Sequence, residues 1–125
     1  MNDREIIECI SKLKYQVETL GLTIDHQKYP VEALILSKNW GPTDLEKAHD
    51  VFEKWDKKLE NGDEMKSGLF ESDFQDALGV SYQGLKSIVL AFYRNSQWTN
   101  VCEAYVDSFD GKPSIEFFEI SRRER

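Results

Sequence analysis

Along residues 3–24 the apolar positions fall at steps of four, three, four, three and four: Ile6, Ile10, Leu13, Val17, Leu20 and Ile24. An α-helix turns once in 3.6 residues, so this spacing draws all of them onto one stripe, in the form of a heptad seam. Asn2 or Asp3 can cap the first turn, and Gly21 weakens the last. Two arrangements satisfy such a stripe: a helix lying on its own domain's core, or one strand of an intermolecular coiled coil. Three heptads is short for the second, so the first is preferred.

The pattern then changes five times. Pro30 suits the first turn of a short second helix, with Val31, Leu34, Ile35 and the stem of Lys38 facing inward and "NWGP" as its end. Thr43 with Glu46 three residues on reads as a capping box that opens a third helix. Its inner face is Leu45, Ala48, Phe52, Trp55 and Leu59, and its outer face (Glu46, Lys47, Asp50, Glu53, Lys54, Lys57) is a solvated mixture of charges. After an Asn61-Gly62 turn, Ser72 and Gln75 read as the cap of a fourth, short helix with Phe74, Ala77 and Leu78 inward. Leu85, Ile88, Val89 and Phe92 mark a fifth, and Trp98, Val101, Cys102, Tyr105, Val106 and Phe109 a sixth, ended at Asp110-Gly111-Lys112-Pro113. In "SIEFFEISRRER", Ile115 and Phe117, or Phe118 and Ile120, fit either a strand or a last helical turn. The expected fold is all-α: one domain of five to six helices with a long N-terminal helix, a bundle over 1–110 and a C-terminal tail over 111–125.

Composition narrows the function. A chain of 125 residues, 40% hydrophobic and 31% charged, fits one domain. Acids outnumber Lys and Arg by 23 to 16, a net charge of −7, which as a whole repels nucleic acid and anionic membranes. No apolar run approaches the roughly 18 residues of a membrane span, and "MNDREIIE" has no secretory features, so a cytoplasmic location is expected. Cys9 and Cys102 each sit among apolar residues at helical spacing, which predicts two reduced core thiols.

The segments "QKYPVEALILSKNW…TDLEKAHDVFEKWDKKLE" and "SIVLAFYRNSQWTNVCEAYVDSF" resemble the YhaI-like family of small bacterial proteins. The resemblance covers residues 5–109 in order: a long first helix, the Tyr29-Pro30 junction with Ala33, Leu34 and Ile35, a charged helix around Phe52 and Leu59, and a closing pair that includes Leu90, Phe92 and Tyr93. It implies an all-helical bundle that self-associates and has no assigned biochemical role. The tail after Phe109 has no counterpart in it, and the piece around Gly79 is compressed.

Candidate chemistry is sparse. "DALGVSYQGLKSIV" has the outline of a helix-turn-helix, within residues 73–94, that would offer Tyr82, Gln83 and Lys86 to base edges. Against it stand Gln75 where a small residue is needed, Gly84 in the first turn, and only Lys86 and Arg94 as local cations. No Gly-rich phosphate loop, nucleophile elbow or H-E-x-x-H occurs, and Ser37, His49 and Asp50 form no recognisable catalytic set. His26, His49 and the two cysteines lack zinc spacing, and the acids of 56–64 and 107–110 fail the calcium-loop pattern. No catalytic residue, metal site or cofactor is therefore assigned.

The expected function is a non-enzymatic interaction or regulatory module acting through self-association, a dimer being favoured, or through a protein partner. A helix-turn-helix regulator is the alternative, and a small-molecule binder or enzyme the third. Candidate contacts are Ile6, Ile10, Leu13, Val17 and Leu20, together with Trp40, Tyr82 and Trp98 at helix junctions. Ile7, Tyr15 and Leu22 widen the apolar surface of the first helix beyond one stripe. A bundle that leaves such a surface uncovered would bury it by pairing first helices about a two-fold axis.

Overall fold

The computed structural model describes residues 1–109 and 115–121, and all regular structure among them is helical. Helix α1 spans Asp3–Gly21, α2 Pro30–Lys38, α3 Pro42–Glu60, α4 Ser67–Leu78, α5 Tyr82–Arg94 and α6 Thr99–Asp107. A 3-10 turn at Ile115–Phe117 then runs into the short α7, Phe118–Ser121. The expected turn at Asp110-Gly111-Lys112-Pro113 and the 110/111 boundary lie outside the described residues.

Local chemistry explains most boundaries. Asn2 caps α1 by accepting the Glu5 N–H at 2.8 Å, and Pro30 begins α2, whose end is turned by Asn39 at φ 56°. Helix α3 begins one residue earlier than its expected cap. Gly41 is the N-cap, Pro42 follows, and the carboxylate of Asp44 accepts the Gly41 N–H at 2.9 Å. Asp44 thus does the work expected of Glu46, because the preset φ of Pro42 starts the helix before Thr43. Helix α4 likewise begins at Ser67, so Ser72 is interior to it and caps nothing. The apolar face already runs through Phe70, which is fully buried, and this packing extends the helix upstream of the cap-like pair.

The core is built from α2 to α7. Phe52 of α3, Phe70 and Phe74 of α4, Phe92 of α5 and Tyr105 of α6 are all fully buried. Their rings meet at 5.0 Å (Phe52–Phe92), 5.2 Å (Phe52–Phe74), 5.1 Å (Phe70–Phe74) and 4.8 Å (Phe70–Tyr105). Among the described tail residues, Phe117 and Ile120, one helical turn apart, insert fully into this cluster. Residues 115–121 of the tail are therefore helical and close the core, resolving the strand-or-helix ambiguity there.

Polar ties fix how the helices sit on one another. Asp73 of α4 accepts from the Trp55 indole at 2.8 Å and from Lys54 at 2.9 Å, joining α3 to α4. The Tyr105 hydroxyl donates to Glu71 at 2.6 Å, joining α6 to α4. Asn100 donates to Asp56, joining α6 to α3. On the tail, Lys86 donates to Glu116 at 3.4 Å and Arg94 to both carboxylate oxygens of Glu119 at 3.2 Å.

Helix α1 shares none of this. It contains no buried residue, and its principal packing partner is α2. The expectation that its stripe lies on the core of its own domain is overturned. The core cluster is closed by residues of α2 to α7 alone, with Phe117 and Ile120 fully buried in it and no residue of α1 among its members.

Candidate functional site

The five seam residues of α1 are the largest uncovered apolar surface on a single element. Ile6, Ile10, Leu13, Val17 and Leu20 are 41–65% exposed, and Ile7, Tyr15 and Leu22 beside them are more open still or comparably so. Their spacing places them along one face of a 19-residue helix about 28 Å long. The side-chain hydrogen bonds along α1 are local to the helix: Arg4 pairs with Glu8 at 3.3 Å and Thr19 donates to the Tyr15 carbonyl at 2.8 Å.

The seam runs into a groove at its C-terminal end. Val17, Gly21 and Leu22 of the α1 end face Ala33 and Leu36 of α2 across an opening of about 380 Å³. Leu36 is itself 41% exposed, so apolar surface continues from α1 onto α2.

The other candidate contacts do not join this surface. Trp98, expected as an exposed junction ring, is half-buried: its indole N–H donates to His49 Nδ1 at 3.0 Å and its ring stacks over Phe52 at 6.2 Å. It adopts φ 53°, a costly conformation for a bulky residue, and these two contacts hold it there. His49 also meets Phe92 edge-on at 5.2 Å, so it is a packing residue whose Nδ1 is already bonded. Trp40 packs half-buried against the core. Tyr82 remains exposed at the start of α5, but its ring lies 4.5 Å from the Lys86 ammonium.

The two cysteines differ. Cys102 is a fully buried thiol that donates weakly to the Val89 carbonyl at 3.6 Å, and burial, reinforced by Glu103, pushes its ionisation far up. Cys9 is exposed on α1, contrary to the expected core position, because the helix that carries it is itself uncovered. Neither is bridged.

The outline of a helix-turn-helix is formed locally. Helix α4 ends on Gly79 at φ 65°, and Ser81 caps α5 by accepting the Gly84 N–H at 3.2 Å. Gly84 has a packing reason: a Cβ there would stand 3.4 Å from that of Val80 and 3.2 Å from the Lys38 ammonium. The cations that would serve DNA are engaged elsewhere. Lys86 is buried against Glu116 and Tyr82, and Arg94 forks onto Glu119.

Among the described residues no group of three or more His, Cys, Asp or Glu side chains converges as a metal site, and no helix is long and apolar enough to cross a membrane. A groove between α2 and α5, with His26, Ser37, Ser87 and Arg94 on its walls, has about 220 Å³. The apolar stripe of α1 was legible from periodicity, and its exposure was not. The Asp73 clamp, the His49–Trp98 bond and the latching of the tail were not, since each joins residues far apart in sequence that carry no local pattern. In comparisons with known proteins, no family model, no curated protein and no solved structure matches this chain.

Proposed function

We propose that this chain is a non-enzymatic interaction module that works through α1, by self-association in the first place and otherwise by binding one protein partner. One observation carries the reading: five aliphatic side chains in heptad spacing stand 41–65% exposed on a helix that buries nothing. Monomeric proteins rarely leave such a contiguous apolar surface in water, because each buried aliphatic side chain is worth about 1.5–3 kcal/mol. Membership of the YhaI-like family belongs to the same proposal, supported by the order of a long first helix, the Tyr29-Pro30 junction and the charged third helix. So does a cytoplasmic location, supported by the two unbridged thiols.

Light scattering tests the reading. The wild-type chain should run heavier than its 14.6 kDa monomer at tens of micromolar, and Leu13→Glu should return it to that mass with its helical signal intact. Lys47→Glu, on the charged face of α3, should change nothing. An equal mass for wild type and Leu13→Glu would remove α1 as the contact.

A helix-turn-helix regulator is the second reading, supported by the Gly79 turn and the Ser81 cap. Two engaged cations and the net charge of −7 weigh against it. A gel shift against pooled genomic fragments at low salt, with a steep loss as salt rises, would favour it over the first.

A further inference from the structure

The proposed reading leaves open what covers α1, and the heptad itself carries an answer that rests on that reading. We propose that α1 pairs with the α1 of a second copy, parallel and in register, and that the C-terminal end of the seam is seated between α1 and α2 of each protomer. Written as heptads, Ile10 and Val17 fall at a, and Ile6, Leu13 and Leu20 at d. β-Branched residues at a with Leu at d are the combination that favours two parallel strands, because their side-chain directions fit the different holes at the two positions.

The surface is large enough. Each seam residue is 41–65% exposed, and burying an aliphatic side chain removes on the order of 100 Å² from water. Five per copy bring the paired surface to about 1,000 Å², the lower bound for a specific interface. Leu36, on the wall of the groove beyond Val17 and Gly21, adds apolar surface where the partner's last turn would arrive.

Orientation follows from which residues would face one another. A parallel pair matches Ile6, Ile10, Leu13, Val17 and Leu20 each with its own copy, so these five layers are aliphatic, and Asp3 meets its own copy only at the first residue of the helix. Its flanking e and g positions set Lys14 beside Cys9 and Gln16 beside Gly21, with no like charges opposed. An antiparallel pair must set a against d. One such register buries Asp3 against Leu20. The next opposes Lys14 to its own copy and needs Ile24, which lies beyond the end of α1. The first loses Leu20 of each copy to Asp3 and the second opposes two lysines, whereas the parallel register keeps all five aliphatic layers and confines its one like-charge contact, Asp3 with Asp3, to the first residue of the helix.

Single-cysteine crosslinking tests this in the full-length chain. In a Cys9→Ser background, with Cys102 left buried, Ile6→Cys should form a covalent dimer on mild oxidation, since d faces d in a parallel seam. A mixture of Ile6→Cys with a mass-tagged Val17→Cys should give no cross-product. Those residues lie about 16 Å apart along the axis, well past the roughly 7 Å Cα separation that a disulfide tolerates. A dimer in which the cross-product forms and the Ile6→Cys homodimer does not would overturn the parallel seam while leaving self-association standing. A monomeric wild type at tens of micromolar would overturn both, and a trimer mass would overturn the two-stranded arrangement. Both substituted positions are solvent-exposed, and circular dichroism identical to wild type confirms that the variants fold.

Discussion

Helices α1 and α3 have the same length, 19 residues, and nearly the same three-four apolar spacing, yet one buries nothing and the other is the centre of the core. In α3 the stripe is Leu45, Ala48, Phe52, Trp55 and Leu59, with Ala48, Phe52 and Trp55 shut off from water. In α1 it is aliphatic throughout and uncovered. The difference lies in what stands among the apolar positions. Helix α3 carries groups that can be satisfied only by a particular neighbour: the Trp55 indole by Asp73, His49 by Trp98, Asp56 by Asn100. Its rings interlock with those of α4 and α5 and with Trp98 at the start of α6. Helix α1 has no such anchor; its stripe is equally content against any matching apolar ridge, including its own copy. Periodicity reports that a face will be covered, whereas aromatic bulk and polar anchors report that the cover is intramolecular.

The comparison breaks most visibly at Phe52. Its ring meets Phe70, Phe74, Phe92 and Trp98, so Phe52→Ala should cost about 3–5 kcal/mol and unfold much of the chain at physiological temperature. The loss should appear in urea denaturation at any protein concentration. A loss that shrinks on dilution would mean that α3 too depends on a partner.

The next effect down is Asp73→Ala. It strands the buried Trp55 N–H, at about 1–3 kcal/mol, while the half-exposed Lys54 contact adds little. Chemical denaturation followed by tryptophan fluorescence reads this directly. Asp73→Asn, which retains an acceptor oxygen, should recover most of the loss; equal damage from both variants would show that the charge on Lys54, not the indole, is the partner that matters.

How much of this was legible beforehand follows the same division. The six main helices, and the inner faces of the five after α1, could be read from spacing, because burial of one face imposes the period directly on the sequence. Their starts were less legible. Pro42 with Asp44, and the apolar run through Phe70, each outweighed a cap-like Ser or Thr nearby. The tail was ambiguous because "IEFFEI" satisfies both a period of two and a helical turn, and only packing against Tyr105 and the core cluster selects the helix that sends Phe117 and Ile120 inward. The exposed seam was legible as a stripe, but its cover was not, since a heptad is written identically for an internal and an external partner. Trp98 was misjudged for the opposite reason: a junction residue looks peripheral until His49, on another helix, supplies a partner for its indole.

Alkaline pH should loosen the core in two stages. Burial above all, then the hydrogen bond to Glu71, holds the Tyr105 hydroxyl protonated far above its ordinary range, and burial does the same to the Cys102 thiol. In the unfolded chain the thiol ionises near pH 8.5 and the phenol near pH 10. Both folded values are raised, so the stabilisation is complete below those unfolded values and falls as pH rises through them. Urea midpoints should therefore begin to fall above about pH 8.5 and fall faster above about pH 10. Tyr105→Phe should flatten the second stage at the expense of about 1 kcal/mol at neutral pH, from the lost bond to Glu71. A slope above pH 10 as steep as wild type in Tyr105→Phe would assign that stage to other groups.

The smallest effect is the one that most sharply separates the two helices. At a concentration low enough for the chain to be monomeric, Leu13→Glu should change the free energy of global unfolding by no more than about 0.5 kcal/mol, as for any solvent-facing position away from a cap or tie. Leu13 touches no core cluster and is 60% exposed, so replacing it opens no cavity and buries no charge. In the same dilute sample the amides of α1 should exchange far faster than those of α3. A helix of this length is marginal without tertiary support, and α1 is supported mainly by α2. Raising the wild-type concentration should slow exchange along α1 while leaving α3 unchanged, and Leu13→Glu should abolish that concentration dependence. Protection of α1 that matches α3 in a dilute monomer would place its stripe against the body of its own chain. Helix α1 would then be a core helix like α3, and the contrast between the two would dissolve.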